Sequence, residues 1–355
     1  MSVAPAYWQS IGARALLLWP VSLLFGTLAR GRQWCYRLGF CKVIQSEIPV
    51  IVVGNISVGG TGKTPLTQAL VGSATEQSMR CGIVIRGHGG QVQSTPFLID
   101  NTTTAAMVGD EPLLHHHKTG VPVVVCTDRA AAVQKLSDCD VNLAFSDDGL
   151  QHYKMQRACE IAVVDGDAGF ANAMLLPSGP LREPIKRLTT VDIVAVQITA
   201  ADAHPDTAVL LQDVPQLRIA TDAGVPVGSF FLKPVKLRQL WTDKLLPLDA
   251  LHGKAVTAVA GIGAPERFFQ ALRSANLTIQ PVSFDDHHEY SEEDLQSLPA
   301  GPVVVTGKDA VKIKALSLHS LDIYVLEIDI DMSENLELAV HDMFKKLNAH
   351  PKAKL

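Results

Sequence analysis

The chain has 355 residues, of which 47% are hydrophobic and 19% are charged, and its net charge is −5. This composition excludes intrinsic disorder, and the length predicts about two domains. The acidic balance excludes a global basic surface, so no nucleic-acid partner is predicted, and no obligatory protein partner is inferred. None of the six cysteines has C-x-x-C spacing, which indicates reduced thiols in a cytoplasmic protein.

The first segment, residues 1–45, combines basic residues with an apolar run. No acidic residue precedes Glu47, and the run at 15–29 is flanked by arginines. Fifteen residues fall short of the ~20 that span a bilayer, and no signal-peptide cleavage site follows. We therefore predict a helix lying in a membrane interface, with arginines near the lipid headgroups. A helix packed on the protein's own core is the alternative, and Pro20 would kink either one.

A glycine-rich turn follows the first predicted strand. The apolar run at 48–54 leads into Ser57-Val58-Gly59-Gly60-Thr61-Gly62-Lys63-Thr64, after which a helix is predicted to begin near Lys63. Backbone N–H groups and a helix N-terminus together bind phosphate, and the lysine and threonine of such a loop reach the phosphates and Mg²⁺. Ser57 stands where the usual pattern has glycine, and a purely structural turn is the alternative. The loop predicts ATP or GTP binding.

Several later apolar runs predict strands separated by helices. They lie at 82–85, 122–126, 141–146, 161–165 and 192–196. This alternation is typical of a parallel α/β sheet with helices on both faces.

The pattern changes after about residue 223. Residues 225–240 indicate an antiparallel β connector, and a second α/β unit begins at 255, with strand-like runs at 303–306 and 323–326. We therefore predict an α/β fold with two lobes and a cleft between them. Residues 46–222 form a P-loop NTPase-like parallel sheet domain, and residues 223–355 form the β connector and a second, smaller α/β lobe.

Two acidic doublets are candidates for chemistry. Asp147-Asp148 directly follows a predicted strand, where a Mg²⁺ carboxylate is expected, although a solvated turn is the alternative. Asp110-Glu111 begins a predicted helix, so an N-cap is at least as good an interpretation as catalysis. That helix contains three consecutive histidines at 115–117, which cannot share one helix face. They are predicted to form a partly exposed turn of helix instead of a metal site.

Basic and histidine side chains complete the candidate set. Arg86, Arg129 and Arg182 each follow a strand or a Gly-Pro turn, where they would lie beside bound phosphates, although a surface salt bridge is the alternative for each. His152 lies one turn after the acidic doublet, and His287 and its neighbour belong to the second unit. Hydrogen bonding or proton relay is the functional interpretation of the pair at 287–288.

Seven motifs occur in a recognisable order over about residues 50 to 310. They are Val53–Pro65, Arg86–Gly89, Gly109–Pro112, Asp147–His152, Leu175–Pro184, Gly261–Phe268 and Asp286–His288. In this order they resemble the tetraacyldisaccharide 4′-kinase family, the lipid A kinases of Gram-negative bacteria. The chain departs from the family pattern at His88 (usually Tyr), at Gly307 in Thr306-Gly307-Lys308-Asp309 (usually Glu) and at Leu150 (usually Phe).

The resemblance implies transfer of the ATP γ-phosphate to the 4′-hydroxyl of tetraacyldisaccharide 1-phosphate, which forms lipid IVA. The implied cofactors are ATP and Mg²⁺. The implied partners are the lipid disaccharide and the inner membrane, with a peripheral or monotopic location at its cytoplasmic face.

The resemblance also implies roles for individual residues. Asp110 would be the general base, tuned by His287, and Lys63 and Arg182 would complete the catalytic set. The implied metal ligands are Thr64, Asp147, Asp148 and Glu111, and the implied substrate-binding residues are Arg86, Arg129, Gln151 and His152.

Three other classes of nucleotide-binding protein are weighed against this interpretation. A membrane-associated P-loop ATPase or nucleotide switch is the main alternative, but the partitioning class has a signature lysine where this chain has Val58. A GTPase would need an Asn-Lys-x-Asp motif, and residues 306–309 lack its Asn-Lys pair. A non-catalytic nucleotide sensor at the membrane is the third alternative.

Overall fold

The protein was analysed as a computed structural model, in which residues 5–92, 94–199, 204–316 and 318–349 are described. Thirteen strands lie within these ranges: β1 (Val50–Gly54), β2 (Cys81–Ile85), β3 (Phe97–Leu98), β4 (Val123–Val125), β5 (Leu143–Asp147), β6 (Cys159–Asp165), β7 (Ile193–Gln197), β8 (Val227–Gln239), β9 (Leu245–Leu246), β10 (Ala255–Ala260), β11 (Thr278–Ser283), β12 (Val303–Val305) and β13 (Ile323–Met332).

The helices of the same ranges are α1 (Ala13–Arg37), α2 (Lys63–Glu76), α3 (Ala105–Val108), α4 (Asp110–Thr119), α5 (Arg129–Ser137), α6 (Thr207–Asp213), α7 (Arg218–Asp222), α8 (Pro265–Ser274), α9 (Glu292–Gln296), α10 (Gly307–Ile313) and α11 (Glu334–Ala349). Short 3-10 helices occupy Ala6–Trp8, Ile185–Thr190, Pro215–Leu217, Leu248–Leu251 and Lys314–Leu316.

The strands form one continuous sheet. Their order is β11-β10-β12-β13-β8-β7-β6-β1-β5-β2-β4-β3, and β9 pairs with β8. The pairings are parallel except for β3 with β4, β8 with β9, and β8 with β13. This architecture confirms the predicted α/β fold. Because parallel strands end at the same edge of a sheet, the residues after β1, β5, β6 and β7 are brought together there.

Alternating apolar side chains explain why the first half of the sheet is buried on both faces. Val50 and Val52 of β1 pack into one core, and Ile51 and Val53 pack into the core on the opposite face. All five residues of β1 are buried. This central strand therefore holds the glycine-rich loop at a fixed position at the sheet edge.

Strands β8 and β13 join the two lobes, and we call them the connecting ribbon. The beginning of β8 pairs in parallel with β7, and the stretch of β8 from Phe230 to Gln239 pairs with β13 in antiparallel register. The predicted antiparallel connector is therefore present as part of the main sheet. The last helix, α11, returns to the first lobe, where Val340 and Phe344 share a core with Ile51 and Val53.

Helix α1 packs against the first lobe through a narrow stripe of its own surface. Only Ala15, Ser22 and Gly26 of this helix are buried. The Ser22 hydroxyl donates to the carbonyl of Leu175 at 2.9 Å, and a Cβ on Gly26 would lie 2.6 Å from the Leu175 side chain. The large apolar side chains that remain exposed are Leu16, Leu17, Trp19, Val21, Leu23, Leu24, Leu28 and Trp34.

The length of α1 corrects an expectation from the sequence. The apolar run alone is too short to span a bilayer, but the helix continues through Arg30 and Arg32 to Arg37 and has 25 residues. By length and composition alone it could cross a membrane. The arginines do not end the helix because arginine is a good helix former.

Candidate active site

The glycine-rich loop forms the predicted phosphate cradle at the end of β1. Gly62 has φ +76° and directly precedes α2, and Gly59 has φ +130°, both in the region that favours glycine. A Cβ on Gly62 would also lie 2.8 Å from the Gln197 side-chain oxygen. These positions need glycine for steric reasons, and they place the N–H groups at the start of α2 at an open anion site.

The structure explains why Ser57 can replace the usual glycine. Ser57 forms an isolated antiparallel bridge with Leu181, and the N–H of Val58 donates to the carbonyl of Pro180 at 2.8 Å. Backbone in an extended bridge suits any residue type. The same pairing continues with the N–H of Arg182 donating to Ile56 at 2.7 Å, which brings Arg182 to the loop.

Asp147 is the last residue of β5 and is only 2% exposed. Its Oδ2 accepts hydrogen bonds from the Thr64 hydroxyl at 3.1 Å and from Nε2 of His115 at 2.9 Å. Burial opposes ionisation of this carboxyl, but the hydrogen bond from His115 and the charge of Lys63 outweigh it, so the pKa of Asp147 is lowered. The result is a carboxylate with a fixed orientation.

Asp148 pairs with two cations beside the loop. Lys63 Nζ lies 3.8 Å from its Oδ1, and one guanidinium nitrogen of Arg182 lies 3.0 Å from both of its carboxylate oxygens. Desolvation opposes ionisation, but Lys63 and Arg182 outweigh it and lower the pKa of Asp148. Asp148 has φ +49°, a conformation that costs a non-glycine residue roughly 1–2 kcal/mol. This backbone conformation ends the extended run of β5, and the Asp148 side chain contacts both cations.

Asp147 and Asp148, at the end of β5, offer the oxygen ligands that Mg²⁺ prefers. Among the described residues, Oδ1 of Asp147 is buried and has no hydrogen-bond partner, so it is available to a cation. The Thr64 hydroxyl beside it is a second oxygen donor. These groups fit a magnesium ion bound together with nucleotide phosphates.

Glu111 makes an ion pair with the second lobe, and its assignment as a metal ligand stays a prediction. Its Oε1 pairs with Lys308 of the second lobe at 2.5 Å. Within the described ranges, no cluster of three or more histidine, cysteine or acidic side chains is placed to hold a metal. The two acids of the second doublet therefore contact the other lobe.

Asp110 and His287 lie in contact across the cleft. His287 Nδ1 is 3.2 Å from Asp110 Oδ2, and Lys312 Nζ is 3.6 Å from the same oxygen. Asp110 is the first residue of α4, and the tight packing of Gly109 (φ +89°) against the carbonyl of His88 sets where this helix starts. His287 is itself in the left-handed region, with φ +62°.

The contact between Asp110 and His287 shifts the pKa of both side chains. Burial opposes ionisation of Asp110, but the hydrogen bond from His287 and the charges of Lys308, His287 and Lys312 outweigh it and lower its pKa well below the ordinary range. The hydrogen bond to Asp110 raises the pKa of His287 above its ordinary 6.5, although partial burial opposes this. The contact therefore favours the carboxylate form of Asp110 and the imidazolium form of His287.

The four residues expected to bind substrate occupy different environments. Arg86 is exposed and, like His152, lines the large cavity described below. Burial lowers the pKa of His152 to about 4. Gln151 is engaged by protein groups, because its amide donates to the carbonyl of Asn55 and to Glu183.

Arg129 is buried behind the end of β5. It is 2% exposed, and its guanidinium donates to the carbonyl of Asp147 at 2.8 Å, so it supports the strand end from inside the protein. Burial lowers the pKa of Arg129 to about 10. Arg129 nevertheless lines the same large cavity as Arg86 and His152, so its assignment as a substrate-binding residue stays a prediction.

Arg267 is a contact that the sequence alone did not single out. It lies on α8 of the second lobe, and its guanidinium reaches Asp165 at 2.6 Å, Gln197 at 3.1 Å and the carbonyl of Gly60 at 3.4 Å. Asp165 and Gln197 are the last residues of β6 and β7, and Gly60 belongs to the loop after β1. In the sequence, the only signal for Arg267 was its position within the motif Gly261–Phe268. Arg267 thus connects the second lobe directly to the phosphate loop.

One cavity of about 2240 Å³ is lined by most of the residues described above, although buried Asp110 is not part of its wall. Small-molecule sites are typically about 300–1,000 Å³, so this cavity is larger than a single nucleotide requires. Its wall includes the phosphate loop, both acids of the first doublet, and His287, and on another side Phe25, Leu28, Arg30 and Arg32 of α1. The same cavity is therefore lined both by polar, phosphate-binding groups and by apolar and basic side chains of α1.

Comparison with known proteins identifies the family. A sequence model of the family described as LpxK, tetraacyldisaccharide-1-P 4′-kinase, matches residues 14–345. This chain belongs to the tetraacyldisaccharide 4′-kinase family.

Individual relatives agree with this assignment. The chain is 42% identical to the tetraacyldisaccharide 4′-kinase of Azoarcus sp. (strain BH72) over 316 residues, which cover 88% of this chain and 87% of the relative. It is 39% identical to that of Pseudomonas fluorescens (strain Pf0-1), over 91% of this chain and 90% of the relative. A crystal structure of LpxK from Aquifex aeolicus in complex with ATP is similar with a TM-score of 0.75 and 24% identity, covering 93% of this chain and 99% of that one. This structural likeness shows that the fold is the same.

One departure from the tetraacyldisaccharide 4′-kinase pattern lies at the centre of the site. The ring of His88 contacts the ring of His287 edge to face, with 5.8 Å between centroids. An imidazole here adds a polar group next to the partner of Asp110, where the family usually has a phenol.

Proposed function

We propose that this chain transfers the γ-phosphate of ATP to the 4′-hydroxyl of tetraacyldisaccharide 1-phosphate. The observation that carries the proposal is that one cavity, in a member of this kinase family, combines the phosphate loop, the Asp147–Asp148 edge and His287, which is in contact with Asp110. A nucleotide switch without an acceptor is not favoured, for two reasons. The cavity is larger than a nucleotide requires, and the chain belongs to a family of kinases.

The phosphate donor would be held by the end of the sheet. The loop N–H groups and Lys63 bind the phosphates, and the Thr64 hydroxyl and Asp147 hold Mg²⁺, which would offset negative charge on the phosphate oxygens. Asp148 fixes Lys63 and Arg182 beside the loop. These preorganised cations can then stabilise charge on the phosphoryl group during transfer.

The proton of the sugar hydroxyl would be accepted at the Asp110 carboxylate. His287 orients this carboxylate and is the more exposed member, at 26% against 5%. As the acceptor oxygen bonds to the γ-phosphorus, the bond to the ADP leaving oxygen breaks and the proton passes to Asp110. Because Asp110 belongs to one lobe and His287 to the other, the pair forms only when the lobes are close.

The pH dependence of turnover should report the His287 ionisation. Protonated His287 lowers the proton affinity of Asp110, so kcat should rise with pH as His287 loses its proton, with a midpoint above 6.5 because its pKa is raised. His287→Ala should remove this limb and lower the maximal kcat by roughly tenfold or more. A kcat–pH profile from pH 5.5 to 9 measures both effects. His252→Ala, an exposed change in the same lobe, should keep the wild-type profile, and a limb that persists in His287→Ala would assign the ionisation to another group.

The membrane location is proposed from α1. Leu17 and Leu24 are 79% and 61% exposed, and the helix places basic side chains next to the cavity mouth. We propose that α1 lies in the cytoplasmic interface of the inner membrane and brings the cavity to its lipid substrate.

Replacing both Leu17 and Leu24 with glutamate should weaken the binding of the protein to anionic phospholipid vesicles by tenfold or more. Removing each leucine from the acyl boundary costs about 1.5–3 kcal/mol. Sedimentation with vesicles measures the effect. Leu338→Glu, on the exposed face of α11 and 57% exposed, is the matched control and should bind as wild type. Equal vesicle binding by the double variant would show that α1 is not the anchor.

The function itself is tested with γ-labelled ATP, Mg²⁺ and the disaccharide 1-phosphate in detergent micelles. Label should appear in the lipid at the 4′ position, and only when the acceptor is present. Release of labelled inorganic phosphate without labelled lipid would overturn the kinase proposal and favour a nucleotide switch.

A further inference from the structure

His115 is a buried imidazole inside α4, away from the surface. The sequence indicated a partly exposed run of three histidines, but the residues differ: His115 is 0% exposed, His116 is half-buried and His117 is exposed. Successive helical residues point about 100° apart, so a single one of the three can face the sheet. That residue is His115, and the function proposed above does not use it.

Its ring makes a single polar contact within the described part of the chain. Nε2 lies 2.9 Å from Oδ2 of Asp147, whereas Nδ1 is buried and has no hydrogen-bond partner among the described residues. An ionised carboxylate only accepts, so Nε2 donates. A leucine or isoleucine would fill this position without an unsatisfied nitrogen, so packing alone does not account for a histidine.

The contact determines which oxygen of Asp147 remains free. Oδ2 already accepts from Thr64 at 3.1 Å and from His115, and both donors are held by helices. Oδ1 is buried and accepts from no described residue. The two donors therefore fix the carboxylate with one oxygen occupied and the other presented to a cation.

The position of His115 along α4 adds a second consequence. Asp110 begins this helix and contacts His287 and Lys312 of the second lobe, and Glu111 contacts Lys308. His115 follows Asp110 by five residues, a rise of about 7.5 Å along the helix. The helix is thus attached to the second lobe at its first turn and to the end of β5 in its second turn.

We propose that His115 is a positioning residue that orients Asp147 for Mg²⁺ and thereby sets the general base on the same helix relative to the bound phosphates. The inference rests on the proposed function, in which Asp147 is a magnesium ligand. His115 is not itself a ligand, since its donating nitrogen is taken by the carboxylate and Mg²⁺ prefers oxygen. Groups that orient a ligand in this way typically contribute about 10–100-fold to metal affinity or activity.

Magnesium-dependent nucleotide binding tests the proposal independently of turnover. A fluorescent ATP analogue is titrated into the full chain in EDTA and at a series of Mg²⁺ concentrations. In His115→Leu, the Mg²⁺ concentration that gives half of the Mg²⁺-dependent gain in affinity should rise about 10–100-fold, with the metal-free affinity unchanged. In His115→Gln, whose amide N–H can reach the same oxygen, most of this loss should be recovered.

The controls separate this role from a structural one. His341→Leu makes the same chemical change at an exposed position of α11 and should bind as wild type. His115→Met, a flexible apolar side chain, replaces the leucine variant if that variant does not fold. Wild-type magnesium dependence in the apolar variant would overturn the proposal, as would an equal loss in His115→Gln. Failure of the kinase proposal is distinguishable, because wild-type protein would then bind MgATP normally and leave the lipid unlabelled.

Discussion

Replacing Asp110 with asparagine is expected to lower kcat by about 10²–10⁴-fold, the usual range for loss of a general base. Asparagine keeps the size of the side chain but cannot accept the proton of the sugar hydroxyl. It also removes the negative charge between His287 and Lys312, so it should lower the pKa of His287, leaving Asp286 as a weaker raising influence. The affinity for MgATP should change little, because Asp110 contacts the second lobe and not the phosphate loop. Steady-state kinetics with saturating lipid, together with nucleotide titration, measures both quantities.

Asp138→Asn is the matched control for this change. Asp138 follows α5 and is paired at 3.4 Å with Lys135, in a largely exposed contact. Such contacts contribute little, so the control should keep wild-type kinetics. If Asp110→Asn retained near wild-type kcat, proton transfer would have to occur elsewhere and Asp110 would be left with a role in closing the lobes.

Lys63→Ala is expected to lower kcat/KM by about 10²–10³-fold, the usual effect of removing one preorganised group that stabilises transition-state charge. The ammonium is 13% exposed and lies between the phosphate loop and Asp148. Its removal takes away one of the cations that act on Asp148, so the local charge becomes more negative where phosphate must bind. Lys63→Arg should not restore activity, because a planar guanidinium cannot occupy the position of a compact ammonium.

Lys254→Ala provides the comparison for the lysine change. Lys254 is exposed between the last 3-10 helix before β10 and β10 itself, outside the cavity wall. Its variant should match wild type in kcat/KM measured with labelled ATP. Lys63→Ala activity within a few-fold of wild type would remove the lysine from phosphoryl transfer.

Much of the fold could be predicted from local patterns. Runs of valine and isoleucine predicted β1 and the other buried strands of the first lobe to within a few residues, since strands buried on both faces are continuously apolar. Strands β3, β9 and β11 escaped prediction, because two of them are two residues long and β11 contains Pro281. The extent of α1 was underestimated because hydrophobicity, not helix propensity, defined its end.

The site shows where such patterns stop being informative. Motif order indicated Lys63, Asp147, Asp110 and His287, but the partners that orient them come from distant parts of the chain. Nothing local in three consecutive histidines shows which one faces Asp147, since that depends on how α4 rotates against β5. The tolerance for Ser57 likewise depends on a bridge to Leu181, more than a hundred residues away.

The connecting ribbon restricts how the lobes can move relative to each other. The chain enters the second lobe through β8 and leaves it through β13, and the following helix α11 is anchored in the core of the first lobe. The second lobe is therefore held by two covalent crossings that are also hydrogen-bonded to each other, which forbids free rotation about a single linker. Any opening of the lobes would therefore have to bend both strands together, and their register shifts between Glu327 and Ile328. Because two paired strands resist twisting, such a bending motion would return His287 to Asp110 in the same orientation in every catalytic cycle.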